Sequence, residues 1–224
     1  MNQERMAELL SPFLGSEKLS PHQFQLVASY LDVLTQWNSK INLTAIRDPE
    51  TILTRHFGES LFAARQLLPN SRAPQSVTDV GSGAGFPGVP FKIWAPKLHL
   101  TLIDSHHKKA AFLKEAARRL KLSEVTVLPV RVEESSVQSD VVTLRAVEQF
   151  ERMLPGLPRL LKPSGQIGLL IGESQVALAK TTLQEIRWSQ PLPIPLSRNR
   201  VLLIGRSEFL STDGPSVNPR SQAP

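Results

Sequence analysis

Across its 224 residues the chain contains no cysteine. That excludes a disulfide framework, a cysteine-based zinc site and any thiol nucleophile, and it suits a reducing cytoplasm. No run approaches 18 uninterrupted apolar residues, so no membrane span is expected. Met1-Asn2-Gln3-Glu4-Arg5 is charged and has no apolar stretch behind it, so no signal peptide is visible. The histidines, His22, His56, His99, His106 and His107, show no metal-ligand spacing, and no metal is expected. Acidic residues are in the minority, 20 against 26 Lys plus Arg, a net charge of +6 and a pI near 9.9. That balance leans toward an acidic partner such as a nucleic acid. What is plentiful is apolar: 41% hydrophobic residues build a sizeable core and rule out wholesale disorder. The expectation is a monomeric cytoplasmic protein.

The first 72 residues read as a helical extension. Ser20-Pro21-His22-Gln23 supplies an N-cap, a proline at the first helical position and a glutamine three residues after the cap. Phe24, Val27, Leu31 and Leu34 follow at helical spacing. Asp48-Pro49 opens a second helix with Ile52, Leu53, His56, Phe57 and Leu61 along one side. From Ser76 short apolar runs alternate with helical patterns. Strands are predicted over Ser76–Val80, Leu98–Ile103, Val125–Val130, Val141–Leu144, Gln166–Ile171 and Val201–Ile204. Helices are predicted near Phe86–Trp94, Ser105–Lys121, Glu148–Leu161 and Ser174–Ile186. The alternation implies an α/β domain over 73–210, Rossmann-like, with a mostly parallel sheet covered on both faces. The short link Arg131–Ser139 leaves little room for a crossover helix. The turn-rich segment 211–224 is expected to be a disordered tail.

The strongest chemical signal is Val77-Thr78-Asp79-Val80-Gly81-Ser82-Gly83-Ala84-Gly85-Phe86-Pro87-Gly88, an apolar strand running into four glycines and then a helix. Glycines there let the backbone turn sharply and approach a ligand that a Cβ would exclude. The literal Gly83-x-Gly85-x-x-Gly88 matches a dinucleotide fingerprint, though a tight turn without ligand gives the same letters. Asp104 ends the next strand and can accept both hydroxyls of a ribose. Asp79, two residues before Gly81, separates the candidate ligands. A carboxylate repels a pyrophosphate over the turn but attracts the sulfonium and ammonium of S-adenosylmethionine.

These residues resemble the glycine loop of the ribosomal RNA small subunit methyltransferase G family, also called the glucose-inhibited division protein B family. The resemblance extends through Trp37-Asn38, Asn42-Leu43-Thr44-Ala45-Ile46-Arg47-Asp48-Pro49, Arg55-His56, Leu102-Ile103-Asp104-Ser105, Lys108-Lys109, Phe112-Leu113, Arg131-Val132-Glu133-Glu134 and Arg145-Ala146, and covers roughly 20–206. It implies a class I S-adenosylmethionine-dependent methyltransferase acting on guanine N7 of 16S ribosomal RNA in the small subunit. By the same resemblance Asp79, Gly81, Gly83, Phe86, Asp104, Val132, Glu133 and Arg145 would serve the cofactor. Two positions depart from the family pattern: Glu59 stands where Asp is common, and Ile171-Gly172 replaces a frequent Lys-Gly. The second leaves that loop without the lysine that would make a cationic RNA contact.

The chemistry agrees from another side. Methylation of a pyrimidine C5 proceeds through a cysteine adduct, and there is no cysteine. Methylation of an exocyclic amine usually relies on an Asn/Asp-Pro-Pro-aromatic loop, where this chain reads Thr143-Leu144-Arg145-Ala146-Val147. Guanine N7 already carries a lone pair and no proton, so placement against the methyl is enough. Arg131 and Arg145, following the third and fourth strands, should converge on the acceptor cleft, where an arginine can hold guanine O6 or a phosphate. His56 could reach the acceptor base or be a packed helix residue.

Basic charge concentrates between Ser105 and Leu122, where Lys108, Lys109, Lys114, Arg118, Arg119 and Lys121 face Glu115 alone. Lys108 and Lys109, nearest the strand ends, are the candidates for RNA phosphate contact; the rest could be a solvated face. Trp37 and Trp94 are assigned to the core, and Arg198, Arg200 and Arg206 receive no role. Two alternatives remain at this point: a nicotinamide-dependent oxidoreductase, disfavoured by Asp79, Gly81 and the single tyrosine Tyr30, and a non-catalytic RNA-binding protein with the same fold.

Overall fold

The computed structural model describes residues 1–71, 73, 75–145 and 150–207; the segment expected to be a disordered tail lies outside them. Four helices come first. α1 (Gln3–Leu14) and α2 (Pro21–Asn38) precede α3 (Pro49–Ile52), which runs through a wide i→i+5 turn at Leu53–Gly58 into α4 (Glu59–Leu67). The start signals act as read. Ser20 and Gln23 form a reciprocal cap on α2, and Asp48 accepts the Thr51 N–H at 2.7 Å to open α3. The Gln23 amide also donates to the Ile93 carbonyl at 2.8 Å, tying the extension to the sheet domain.

The sheet domain follows as β1 (Ser76–Val80), α5 (Gly88–Trp94), β2 (His99–Ile103), α6 (His107–Arg119), β3 (Val125–Leu128), β4 (Ser139–Arg145), α7 (Phe150–Met153), β5 (Leu161–Gly172), α8 (Val176–Thr182), β6 (Ile186–Trp188), β7 (Leu192–Pro193) and β8 (Arg200–Ser207). The order is β3-β2-β1-β4-β5-β8-β6, with β7 paired to β8. β3, β2, β1, β4 and β5 pair in parallel, while β8 runs antiparallel to β5 with Gly172 opposite Arg200. The order reverses between β1 and β4, so a crevice opens outside their carboxyl ends.

Two expectations are corrected. Of the helix expected near Glu148–Leu161, Glu148 and Gln149 lie outside the described residues, and from Phe150 it is α7 plus two 3-10 turns, because Pro155 and Pro158 cannot donate the helical hydrogen bonds. The helix over Ser174–Ile186 stops at Thr182, and Ile186 instead begins an edge strand on β8. In keeping with the short link Arg131–Ser139, only a 3-10 turn at Val132–Glu134 forms between β3 and β4, and β4 pairs with β1.

Period-two alternation sorts the sheet's side chains into two apolar layers. Val77, Leu100, Leu102, Val141, Leu170 and Leu202 join the layer that includes α1–α6. Val80, Ile103, Val142, Leu144, Ile167, Leu169 and Leu203 join the layer with α7 and α8. The helical extension therefore shares one core with the sheet. Trp37 stacks edge-on against Phe112, centroids 5.8 Å apart, and Trp94 packs on the same layer, as assigned. On α6, Phe112, Leu113 and Ala116 are buried while Arg118 and Arg119 pair with Glu115.

Candidate active site

A cleft of about 990 Å³ opens at the carboxyl edge of the sheet, lined by the loop after β1, the ends of β2 and β4, the turn after β3, and the segment Asn42–Arg47. Its floor is the glycine loop. Gly81, Gly83 and Gly85 all take positive φ, 65°, 54° and 78°, conformations in which a side chain is strained. The reasons differ along the loop. At Gly85 a Cβ would collide with the Tyr30 hydroxyl and, at 2.9 Å, with Val89. At Gly83, which lines the cleft beside Gly81, a Cβ would meet among the described residues only the Gly81 carbonyl oxygen, at 3.8 Å, so the space it would fill is the cleft itself.

Tyr30 was not singled out for this loop by sequence, and it is fully buried on α2. Its hydroxyl donates to the Ala84 carbonyl, and its ring packs against Phe57, Phe86 and Phe112. Burial and the nearby Asp79 push its pKa well above the usual value, so it stays a donor.

Asp79 lies beneath the loop rather than on the cleft wall. It shares the β1 face of Val77, is fully buried, and accepts from the Thr143 hydroxyl at 2.9 Å and the Gly88 N–H at 3.1 Å. Burial raises its pKa to about 7 against those hydrogen bonds. The expected direct attraction to a cationic ligand gives way to shaping the loop. Asp104 does line the cleft: one carboxylate oxygen accepts from Gly83 N–H at 2.8 Å and the other from His106 N–H at 2.9 Å. Each oxygen keeps a lone pair for a ligand hydroxyl. Val132 and Glu133 form the turn facing it, with Val132 buried and Glu133 exposed.

The opposite wall comes from the helical extension. Buried Asn38 accepts from the N–H groups of Leu43 and Thr44 and donates to the Thr44 carbonyl, holding this loop over the cleft. Thr44 Oγ1 lies 2.8 Å from His56 Nε2, and the imidazole stacks on Phe86 at 4.8 Å between centroids. Burial, reinforced by Arg145, Arg200 and Arg55, lowers the His56 pKa to about 3. The ring is neutral at physiological pH, and its Nδ1 is buried with no hydrogen-bond partner among the described residues.

Below His56 sits a cluster around Glu59, whose side chain is 1% exposed. Arg145 approaches at 3.1 Å, Arg200 at 2.9 Å and Arg55 at 3.2 Å; Arg145 also donates to the Arg55 carbonyl at 2.7 Å. Arg200 was given no role by sequence. Its signal was its place at the head of the last apolar run: an antiparallel strand begins where its parallel neighbours end, at the ligand edge. Arg145, 6% exposed, still reaches the cleft lining, as does exposed Arg131. Lys109 lines the cleft too, whereas Lys108 points to solvent outside it. Among the described residues no group of His, Cys, Asp and Glu could hold a metal ion, and no helix is long and apolar enough to cross a membrane.

A mostly parallel sheet with a glycine turn after its first strand and an acid after its second, both at one open cleft, is the fold of a class I S-adenosylmethionine-dependent methyltransferase. Solved structures agree on the fold. The ribosomal protein L11 methylase of Lactobacillus delbrueckii subsp. bulgaricus superposes with a TM-score of 0.59 at 15% identity, covering 69% of this chain and 80% of that one. A methyltransferase from Aquifex aeolicus gives 0.57 at 18% identity, covering 74% and 96%. The family model described as rRNA small subunit methyltransferase G matches residues 23–194. "Ribosomal RNA small subunit methyltransferase G" of Roseiflexus castenholzii is 39% identical over 201 residues, covering 84% of each chain. The protein of that name from Neisseria gonorrhoeae is 40% identical over 153 residues, covering 68% of this chain and 72% of its own. The chain belongs to the rRNA small subunit methyltransferase G family, and it is an S-adenosylmethionine-dependent rRNA methyltransferase. The oxidoreductase and non-catalytic readings are thereby set aside.

Proposed function

We propose that this chain methylates N7 of a guanine in 16S ribosomal RNA, acting in the cytoplasm as a monomer and without a metal ion. The observation that carries the reading is the pairing, in one cleft, of a cofactor-shaped floor with a cationic acceptor wall whose imidazole is too weakly basic to serve as a general base. His56, the imidazole packed into that wall, is held too weakly basic to take a proton near neutral pH. An amine or carbon acceptor has a proton to lose; N7 has none.

When bound, S-adenosylmethionine supplies a methyl group activated by the adjoining sulfonium. The residues present fit it. Gly81 and Gly83 leave room for the methionine portion, Asp104 has free acceptor capacity for ribose hydroxyls, and Val132 with Glu133 flanks the adenine. Asp79 contributes by holding Gly88 and Thr143 in place. Phe86 backs the loop and stacks on His56, which thereby presents a flat, neutral ring toward the acceptor. Arg145 is held by Glu59 at the junction of the two halves, and exposed Arg131 lines the cleft, placed to grip guanine O6 or a phosphate. Lys109 adds phosphate attraction beside the cleft, with Lys108 on the adjoining surface.

The test compares Arg131→Ala with the unaltered protein, measuring tritiated-methyl transfer to 16S rRNA and cofactor affinity by calorimetry. Arg131→Ala is expected to reduce transfer roughly tenfold or more, the scale of one lost charged contact, with cofactor affinity nearly unchanged. Transfer at the unaltered rate would remove Arg131 from the acceptor site. Nucleoside mass spectrometry of the product identifies the methylated atom, and 7-methylguanosine is the expected result.

A further inference from the structure

A separate feature stands at the same edge of the sheet. Between β7 and β8 the chain turns through Ile194–Asn199 and presents Leu196 to solvent, 72% exposed. Met1 at 51% is the other large hydrophobic residue so exposed among the described residues. The exposure of Leu196 is built rather than incidental. Its φ is +58°, a left-handed conformation that leucine rarely adopts. The loop that holds it there is pinned at both sides. Ile194 is buried at 1% and donates its N–H to the Arg200 carbonyl at 3.0 Å, while Ser197 N–H returns to the Ile194 carbonyl at 3.2 Å. Asn199 accepts from Glu173 N–H at 2.9 Å, locking the loop to the end of β5.

The loop's position gives the exposed leucine a context. Arg200, which closes it, pairs with Glu59, the same carboxylate that holds Arg145 at the cleft. Arg198 and Asn199 are exposed beside Leu196, and half-exposed Arg55 stands on the Glu59 cluster. An apolar tip among cations does not suit water, and it does not suit an apolar protein face. It suits a nucleic acid, whose phosphates meet the arginines while a base step accepts the apolar side chain.

We propose that Leu196 is an RNA wedge: it inserts beside the acceptor nucleotide and occupies the stacking space that the guanine leaves when it enters the cleft. This deepens, and rests on, the reading of the chain as an rRNA guanine methyltransferase. A base whose N7 must line up with a methyl group in a walled cleft has to leave its stack, at a cost in stacking energy. An apolar side chain already held rigidly at the edge of the sheet where β5 ends offsets that cost without having to be ordered on binding.

Leu196→Gly separates this role from a structural one, because glycine accepts positive φ without strain. The variant should melt at or above the temperature of the unaltered protein and bind S-adenosylmethionine equally well. Its kcat/KM for methylation of 16S rRNA should nevertheless fall about tenfold, the lower end of the cost of leaving one leucine side chain unburied. Leu196→Met, which restores an apolar tip, should recover most of the rate. Methylation by Leu196→Gly at the unaltered rate overturns the wedge, as does an equal loss in Leu196→Met. A loss seen on assembled small subunits but absent on free 16S rRNA overturns it in favour of a ribosomal-protein contact. Absence of rRNA methylation by the unaltered protein would bring down the reaction assignment and the wedge with it. A defect confined to Leu196→Gly supports the wedge on an intact enzyme.

Discussion

Glu59→Gln isolates the electrostatic keystone of the arginine cluster beside the cleft. The carboxylate is 1% exposed and faces guanidinium groups at 3.1 Å from Arg145 and 2.9 Å from Arg200. At an effective dielectric near 20, a unit pair about 3 Å apart is worth roughly 5 kcal/mol of attraction, most of it spent on desolvating both ions. The amide removes the attraction and leaves Arg145, 6% exposed, without its counterion. Breaking one side of a buried pair in this way costs about 3–5 kcal/mol. Arg55 adds little, since its side chain is 47% exposed and can turn to water. For a chain of this size the loss corresponds to a melting temperature lower by roughly 6–20 °C. Urea titration followed by tryptophan fluorescence measures it directly. A second variant carries the mechanism: Glu59→Gln with Arg145→Met should be more stable than the sum of the two single losses, because the uncompensated cation is gone. A single-variant loss below about 1 kcal/mol, or strict additivity in the pair, would refute the argument.

Gly81→Ala should fold, with a modest stability cost from its positive φ of 65°, and lose about tenfold or more of its S-adenosylmethionine affinity, because Gly81 lines the cleft and an added methyl crowds it; unchanged binding by calorimetry would remove Gly81 from the cofactor floor. Asp79 carries a pKa raised from 3.8 to about 7 by burial, so its ionisation opposes folding: the penalty is absent below pH 3.8, builds between 3.8 and 7, and is complete above 7. Asp79→Asn should therefore gain stability over the unaltered protein as pH rises from 4 to 8, and a difference flat with pH would show that the carboxylate is not held protonated.

The fold class was legible because local signals and tertiary demand agreed. The Ser20 and Asp48 caps, the strand–helix alternation and the glycine turn after Ser76–Val80 each act within a few residues, where composition decides. The helix expected near Glu148–Leu161 failed on Pro155 and Pro158, a local rule outweighed by apolar periodicity. The edge strand at Ile186–Trp188 was missed because its stability comes from pairing with β8, far along the chain.

For the site the division follows distance. Sequence alone determined the glycine loop and the acid ending the second strand, since a turn that must admit a ligand and a strand end that must face it leave letters in place. Only the tertiary structure decided what those letters do. It sank Asp79 beneath the loop, because alternate residues of β1 face opposite layers and Gly88 N–H closes over it. It brought Tyr30 from α2 to the Ala84 carbonyl, 54 residues away. It gathered Arg55, Arg145 and Arg200 on Glu59, because an antiparallel strand starts at the edge where its parallel neighbours end. Such contacts join residues with no neighbourhood in sequence, so packing alone could reveal them.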